Sequence, residues 1–248
     1  MKAGNKKYYD VDTMSILLHE LKSPLSSIKE AIALLAESNQ LAINEKTRQI
    51  VSIAQEETDR MVRMIDNFLK VAAIDSKKVE LHLEPVQIEE VINKVLDSYS
   101  IKIRNKKMQI TKKFTAAPTI FADKDRIFEV LANLIDNALK FTPDNGKITI
   151  ETKLLPQKHP DIIKQKLPSK YEYLKVTITD TGPGIKQRDI KKVFEKFERL
   201  SAPPKIRGIG LGLSIAKMLV ELHHGAIWVT SRPRHGASFH FVLPYQAK

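Results

Sequence analysis

The sequence predicts an α+β chain: an antiparallel helical hairpin over residues 10–75, then a sheet with helices on one face over residues 80–245. Three observations carry this. Two heptad-patterned segments follow one another near the N-terminus. Strand-like and helix-like segments then alternate. Three polar or glycine-bearing strings fall on the helices and turns of the second region.

The first seam is Leu18, Leu21, Leu25, Ile28, Ile32 and Leu35, spaced 3, 4, 3, 4, 3. The string ESNQ at 37–40 breaks it. The second runs Ile50, Ala54, Glu57, Met61, Met64, Phe68 and Val71, with Glu57 as its one polar member. A hairpin of this size covers its own apolar faces poorly, so pairing with a second copy into a four-helix bundle is expected. The alternative is packing onto the rest of the same chain.

Residues 76–86 read as a linker leading into a short strand at 80–84 (ELHLE). Helix patterns follow at 87–105, 123–141 and 209–223, and strand patterns at 108–114, 147–154, 171–180, 225–231 and 237–243. The proline-containing segment 155–170 reads as an excursion on the sheet edge with no assigned role.

The chain has 248 residues and no cysteine. That excludes disulfide scaffolds, thiolate metal sites and cysteine nucleophiles. No apolar run approaches the roughly 18 residues of a membrane span, and no signal peptide opens the chain. The expected location is cytoplasmic, with membrane attachment only through segments absent from this chain. Of the net charge of +12, residues 1–78 hold +1 and the remainder +11. A basic region suggests a polyanionic partner. Its basic runs, such as KIRNKK at 102–107, lack the aromatic residues of single-strand binding, so no nucleic acid is expected.

His19 opens the string HELKSPL beside Leu18 and Leu21 of the seam, at the edge of the apolar stripe. A partly exposed imidazole is a nucleophile at neutral pH, and Glu20 is a neighbouring carboxylate able to take a proton or orient the ring. Pro24 frees a carbonyl inside the helix at a cost of about 3 kcal/mol, which suggests a local purpose. The plain alternative is a surface histidine beside a helical glutamate.

In NLIDNALKFT, Asn133, Asn137 and Lys140 share one helix face. Amide oxygens suit a hard cation such as Mg²⁺, and a lysine suits phosphate. In DTGPGI, Asp180 ends a strand and can accept from an exocyclic amine such as that of adenine, while Gly182 and Gly184 let a flat ring approach the backbone. In GIGLGLS, Gly208, Gly210 and Gly212 lead into a helix N-terminus, an anion site. The GxGxxG dinucleotide spacing and the GxxxxGK[ST] loop are both absent. Each string alone is weak; the three in this order behind HELKSPL are specific.

Together they resemble the kinase core of two-component sensor histidine kinases. HELKSPL resembles the H box, NLIDNALKFTP the N box, DTGPGI and GIGLGLSIAKMLVELHHG the two glycine boxes, VFEKFERL the F box, and GASFHFVLP the closing strand. The resemblance implies a dimerisation and phosphotransfer hairpin, then an ATP-binding sandwich of the gyrase/Hsp90/histidine kinase/MutL type. It implies His19 as phosphoacceptor, assisted by Glu20. Asn133 and Asn137 would serve Mg²⁺, Lys140 the phosphates and Asp180 the adenine amine, with Gly182 and Gly184 shaping that wall. Gly208, Gly210, Gly212 and Leu213 would hinge the lid over ATP and cradle phosphates, and Phe194 and Phe197 would anchor the lid. It also implies a homodimer and a response-regulator receiver domain docking near Leu25, Ser26 and Lys29.

The departures are local. The lid is short and proline-containing, and Lys205 or Arg207 is its candidate for the γ-phosphate. Ile209 stands where Thr is frequent, and Phe141 where Tyr is. Ser23 keeps the hydroxyl of the Thr that orients water for dephosphorylation, which extends the expectation to phosphatase activity. The competing classes are an ATPase clamp without a phosphoprotein, which the HELKSP string opposes, and a dimeric scaffold, which the intact nucleotide strings oppose.

Overall fold

The computed structural model describes residues 22, 25, 26, 28–30, 32, 33, 45–76, 79–115, 118–198 and 210–245. The chain divides into two compact units, Met1–Val79 and Glu80–Lys248.

In the first unit the described residues between 22 and 33 are helical, and α1 spans Glu45–Asp75. Two ion pairs set their relation. Lys22 meets Asp66 at 2.5 Å and Lys29 meets Asp59 at 2.7 Å. Each pair steps seven residues, forward on one helix and backward on the other, so the helices run antiparallel. Of the second seam, Val71 is buried, Ala54, Glu57 and Phe68 are half-buried, and Ile50, Met61 and Met64 are exposed, as is Ile53 beside them. Thr58 and Ile65, each one residue past a seam position, are buried as well, so part of the seam lies uncovered on a single copy. Heptad spacing reveals an apolar stripe but not which neighbour covers it. The break at 37–40 and Pro24 lie outside the described residues.

The second unit is built on a five-stranded mixed sheet. Its strands are β2 (Gln109–Phe114), β4 (Lys147–Leu155), β5 (Glu172–Asp180), β6 (Ala226–Ser231) and β7 (Ala237–Tyr245), in spatial order β2-β4-β5-β7-β6. Only the β2–β4 pair is parallel. A separate antiparallel pair joins β1 (Glu84–Val86) to β3 (Ile120–Ala122). The expected strand at 80–84 is therefore displaced to β1, and β3 is an addition. Three-residue strands, one containing Pro85, leave too few alternations for a period-two pattern.

Helices α2 (Ile88–Ser98), α4 (Lys124–Phe141) and α6 (Gly212–Leu222) pack side by side with α4 in the middle. The expected helix 87–105 breaks at Tyr99, after which α3 runs Ser100–Asn105. Ile127, Leu131, Leu134, Ile135 and Ala138 recur every three or four residues on α4 and are fully buried. Alternate sheet residues, including Ile148, Ile150, Val176, Ile178, Phe239 and Phe241, form the matching apolar face. Each such side chain contributes about 1.5–3 kcal/mol by leaving water.

The segment 155–170 is also corrected. It connects two central strands and does not hang from an edge. Its short helix α5 (Pro160–Lys164) buries Ile162 against Leu155, Tyr173 and Val242 on the other face of the sheet, with Leu167, Tyr171, Ala226 and Trp228 around them. That face also carries a polar ladder: Thr179 bonds Ser238 at 2.9 Å, and His240 lies between Thr177 at 3.0 Å and Thr230 at 2.9 Å.

Candidate functional site

The candidate site lies along α4, which the turn after β5 approaches at Gly182 and the start of α6 approaches at Gly212. Helix α4 begins at Asp123, whose side chain accepts from the Arg126 N–H at 3.0 Å as an N-cap. A second oxygen of Asp123 accepts from the His82 N–H, and the Asp123 N–H donates to His223 Nε2 at 3.0 Å. This ties the starts of α4 and β1 to the end of α6. Burial pushes the Asp123 carboxyl up, but the backbone donors and nearby cations outweigh it and hold it below the ordinary range.

At its other end α4 stops at Phe141 because Pro143 follows and Thr142 turns extended. Lys106 caps that end, its Nζ donating to the carbonyls of Leu139 at 2.7 Å and Thr142 at 2.6 Å.

Asn133 and Asn137 are half-buried on α4, and neither carboxamide bonds another described residue. Half-buried amides without protein partners are available to a ligand. Lys140, at the exposed end of the same face, pairs with Asp136. Asp136 also meets Lys102 at 2.7 Å. Burial would raise the Asp136 carboxyl, but the two lysines overcome it and hold it below the ordinary 3.8.

Asp180 is buried at the end of β5. Its Oδ1 accepts the Gly182 N–H at 2.7 Å and the Ala237 N–H at 3.3 Å. Oδ2 takes no hydrogen bond from a described residue. Burial raises this carboxyl above the ordinary range despite the two donors. The turn after it is locked on all sides. Gly184 has φ +70°, and a Cβ there would overlap the Arg232 carbonyl. Ile185 N–H donates to Ser231 Oγ at 2.8 Å, and Arg234 N–H to the Pro183 carbonyl at 2.6 Å. Gly182 lies so close to α4 that a Cβ would stand 3.0 Å from the Phe141 carbonyl oxygen.

Helix α6 starts at Gly212 with no side-chain cap on its N-terminal N–H groups. A Cβ on Gly212 would stand 2.9 Å from Asn133 Oδ1, so the bare helix start abuts the polar face of α4. Just before it, Gly210 has φ +78°, and its carbonyl accepts the Phe197 N–H at 3.0 Å. Phe194 packs edge-on against Phe239, with centroids 6.3 Å apart. Phe197 is about half exposed.

The structure thus sets Gly212 against Asn133, and Gly182 with Asp180 against Phe141 eight residues further along α4; Asn137 and Lys140 share the helix face of Asn133, and Gly210 lies against Phe197 and Glu198. Gly184 supports the turn, and Leu213 follows Gly212 in the first turn of α6. His19, Glu20, Ser23, Lys205, Arg207 and Gly208 lie outside the described residues. Sequence reasoning missed Lys102, Lys106 and Asp136. The i,i+4 spacing of Asp136 and Lys140 was a readable signal. The two lysines sat in a basic run weighed only for binding a polyanion.

A helical hairpin followed by a mixed sheet with this convergence of amides, aspartate and glycines defines a nucleotide-binding domain joined to a helical module. Two family models match in that order: the His Kinase A phospho-acceptor domain over residues 12–77, and the histidine kinase-, DNA gyrase B- and HSP90-like ATPase over residues 122–247. The chain belongs to the histidine kinase family. It is 33% identical over 236 residues to the adaptive-response sensory kinase SasA of Synechocystis sp., covering 93% of this chain and 58% of that protein. It is 31% identical over 232 residues to the sensor histidine kinase WalK of Bacillus subtilis, covering 92% of this chain and 35% of that one. The chain thus spans between about a third and three fifths of the length of these curated relatives. Among solved structures, full-length ShkA in complex with AMPPNP superposes with a TM-score of 0.77 at 26% identity, over 96% of this chain and 46% of ShkA. The catalytic domain of histidine kinase ThkA gives 0.54 at 27% identity, over 67% of this chain and all of that domain.

Proposed function

We propose that this chain uses ATP to phosphorylate His19 and passes the phosphoryl group to an aspartate of a response-regulator receiver domain. The observation that supports this reading most is the approach of the uncapped start of α6 at Gly212 to Asn133, on a chain whose hairpin matches the phospho-acceptor family and whose second unit matches the ATPase family.

Asp180 Oδ2 accepts the adenine amine, and Gly182 and Gly184 keep the wall beside it free of side chains. The N–H groups at the start of α6, from Gly212 and Leu213, and Lys140 hold phosphates. Gly208 and Gly210 hinge the lid, and Lys205 or Arg207 reaches the γ-phosphate from it. The residues present fit Mg²⁺: Asn133 and Asn137 offer hard amide oxygens, and no cluster of three His, Cys, Asp or Glu occurs among the described residues, so the ion would arrive with the phosphates. When bound, Mg²⁺ offsets charge on the phosphate oxygens.

In the transfer, one His19 ring nitrogen bonds the γ-phosphorus as the bond to the ADP oxygen breaks. Glu20 takes the proton from the other ring nitrogen. The transition state is loose, with charge spread over the phosphoryl oxygens, so positioning and cations do most of the catalysis. Ser23 orients a water that attacks the phosphorus of the regulator's aspartyl phosphate as the bond to the aspartate oxygen breaks, releasing inorganic phosphate in a separate phosphatase reaction.

The hairpin, residues 10–75, dimerises through the outward stripe of Ile50, Ile53, Met61 and Met64, and the regulator docks near Leu25, Ser26 and Lys29. The domain at 80–245 binds ATP. Among the described residues no helix is long and apolar enough to cross a membrane.

The test is incubation with γ-labelled Mg-ATP followed by acid and alkali. Acid-labile, alkali-stable label that is absent from His19→Gln is expected. ATP hydrolysis without labelled protein would overturn the reading in favour of an ATPase.

A further inference from the structure

The basic run at 102–107 is engaged inside the fold. Lys102 and Lys106 sit one helical turn apart, and both reach α4, Lys106 through the carbonyls at its end and Lys102 through Asp136. Asp136 offers one oxygen to each of two lysines: Oδ1 meets Lys102 at 2.7 Å, and Oδ2 meets Lys140. Its side chain is 23% exposed, against 37% for Lys102 and 38% for Lys140. One mostly buried carboxylate therefore carries two ammonium groups, and only Lys140 belongs to the nucleotide site.

We propose that Lys102 is a positioning residue for nucleotide binding: it holds Asp136 so that Asp136 parks Lys140, and it keeps that carboxylate compensated when a phosphate draws Lys140 away. The inference rests on the phosphate role given above to Lys140. Lys140 cannot serve Asp136 and a phosphate chain at once. When it moves, the charge of Asp136 faces the incoming phosphates from the residue next to Asn137. Like charges in a poorly solvated site repel strongly. With Lys102 in place the carboxylate stays paired. Without it, each bound nucleotide uncovers an unpaired, mostly buried charge. The two residues therefore act with opposite sign. Losing Lys102 weakens nucleotide binding, and losing the charge of Asp136 strengthens it. Burial and the Asp136 carboxylate also push the neighbouring Tyr99 phenol up to about 12, so it stays neutral and leaves Lys102 as the compensating charge on that side.

The test is titration of the full chain with a fluorescent ATP analogue and competition by Mg-ATP, with urea midpoints from Trp228 emission as a folding control. Lys102→Ala is expected to weaken ATP binding about five- to tenfold and Lys102→Arg to restore it. Asp136→Asn is expected to tighten binding about three- to tenfold, and Lys102→Ala in that background to change it no further. An equal loss from Lys102→Ala in both backgrounds, or weaker binding by Asp136→Asn, overturns the proposal while the nucleotide reading stands. Wild-type protein that binds no nucleotide overturns both.

Discussion

The His240→Gln substitution should remove a large part of the acid sensitivity of the second unit. His240 is buried in β7 between two threonine hydroxyls, with Nδ1 3.0 Å from Thr177 Oγ1 and Nε2 2.9 Å from Thr230 Oγ1. The Trp228 ring stacks on it with centroids 5.3 Å apart, and Lys175 lies over the Trp228 ring. Burial, and then the Lys175 charge, depress its imidazole from 6.5 to about 4, against a smaller opposing pull from Asp161 and Glu151. The unfolded chain therefore takes up a proton near pH 6.5 that the folded chain refuses until about pH 4. Stability falls as pH drops through that window and levels off below it. The full difference corresponds to about 3 kcal/mol, of which roughly 2.5 kcal/mol is lost between pH 7.5 and 4.5.

The assay is urea unfolding at half-unit pH steps, followed by the emission of Trp228, the one tryptophan of the chain. His223 is also depressed by burial and adds loss of the same sign, so the wild-type slope alone does not isolate His240. The paired Asp161 acts elsewhere. Salt-bridging to Lys175 overcomes its burial and lowers its carboxyl, so its stabilising contribution is lost only as pH falls below the ordinary 3.8. The difference between wild type and His240→Gln is the informative quantity. It should shrink by about 2–3 kcal/mol from pH 7.5 to 4.5. Parallel stability curves for the two proteins would refute the reasoning.

Four further outcomes follow from the geometry. Gly184→Ala places a Cβ against the Arg232 carbonyl at φ +70° and should cost at least about 2 kcal/mol while abolishing nucleotide binding, read by Trp228 midpoints and analogue titration. Asp180→Asn should weaken ATP binding at least about tenfold, since an amide cannot give a second acceptor to the adenine amine without turning a donor inward. For wild type, nucleotide binding should decline with acid at a pH above the usual aspartate range, because burial raises the Asp180 carboxyl and its protonation removes the acceptor. Met61→Asp with Met64→Asp, placing charge on the outward hairpin stripe, should convert a dimer to a monomer by light scattering; an unchanged mass would remove that stripe from the interface.

The parts of the site legible in the sequence share one property: each is local. Asn133, Asn137 and Lys140 follow from helix periodicity, and Asp180 with Gly182 and Gly184 from a strand ending in a turn. Gly210 and Gly212 follow from glycines entering a helix. What stayed hidden depends on partners far along the chain. Lys102 meets Asp136 across 34 residues, and His223 meets the Asp123 N–H across 100. No spacing rule reaches those distances. The excursion carries only Ile162 and Leu167 as inward apolar residues among lysines, five positions apart, which matches neither the helix nor the strand period.

The hairpin shows a different limit. Its two apolar stripes on α1 overlap in heptad phase, so a one-residue rotation separates an inward seam through Thr58 and Ile65 from an outward one through Met61 and Met64. The ion pairs of Lys22 with Asp66 and Lys29 with Asp59 occur in the register that buries Thr58, Ile65 and Val71. Each exposed pair contributes only about 0–1 kcal/mol, so apolar burial and not the ion pairs holds that register. Reversing both charges of one pair, Lys29→Asp with Asp59→Lys, should therefore keep the hairpin stability within about 1 kcal/mol, whereas reversing Lys29 alone puts two carboxylates face to face.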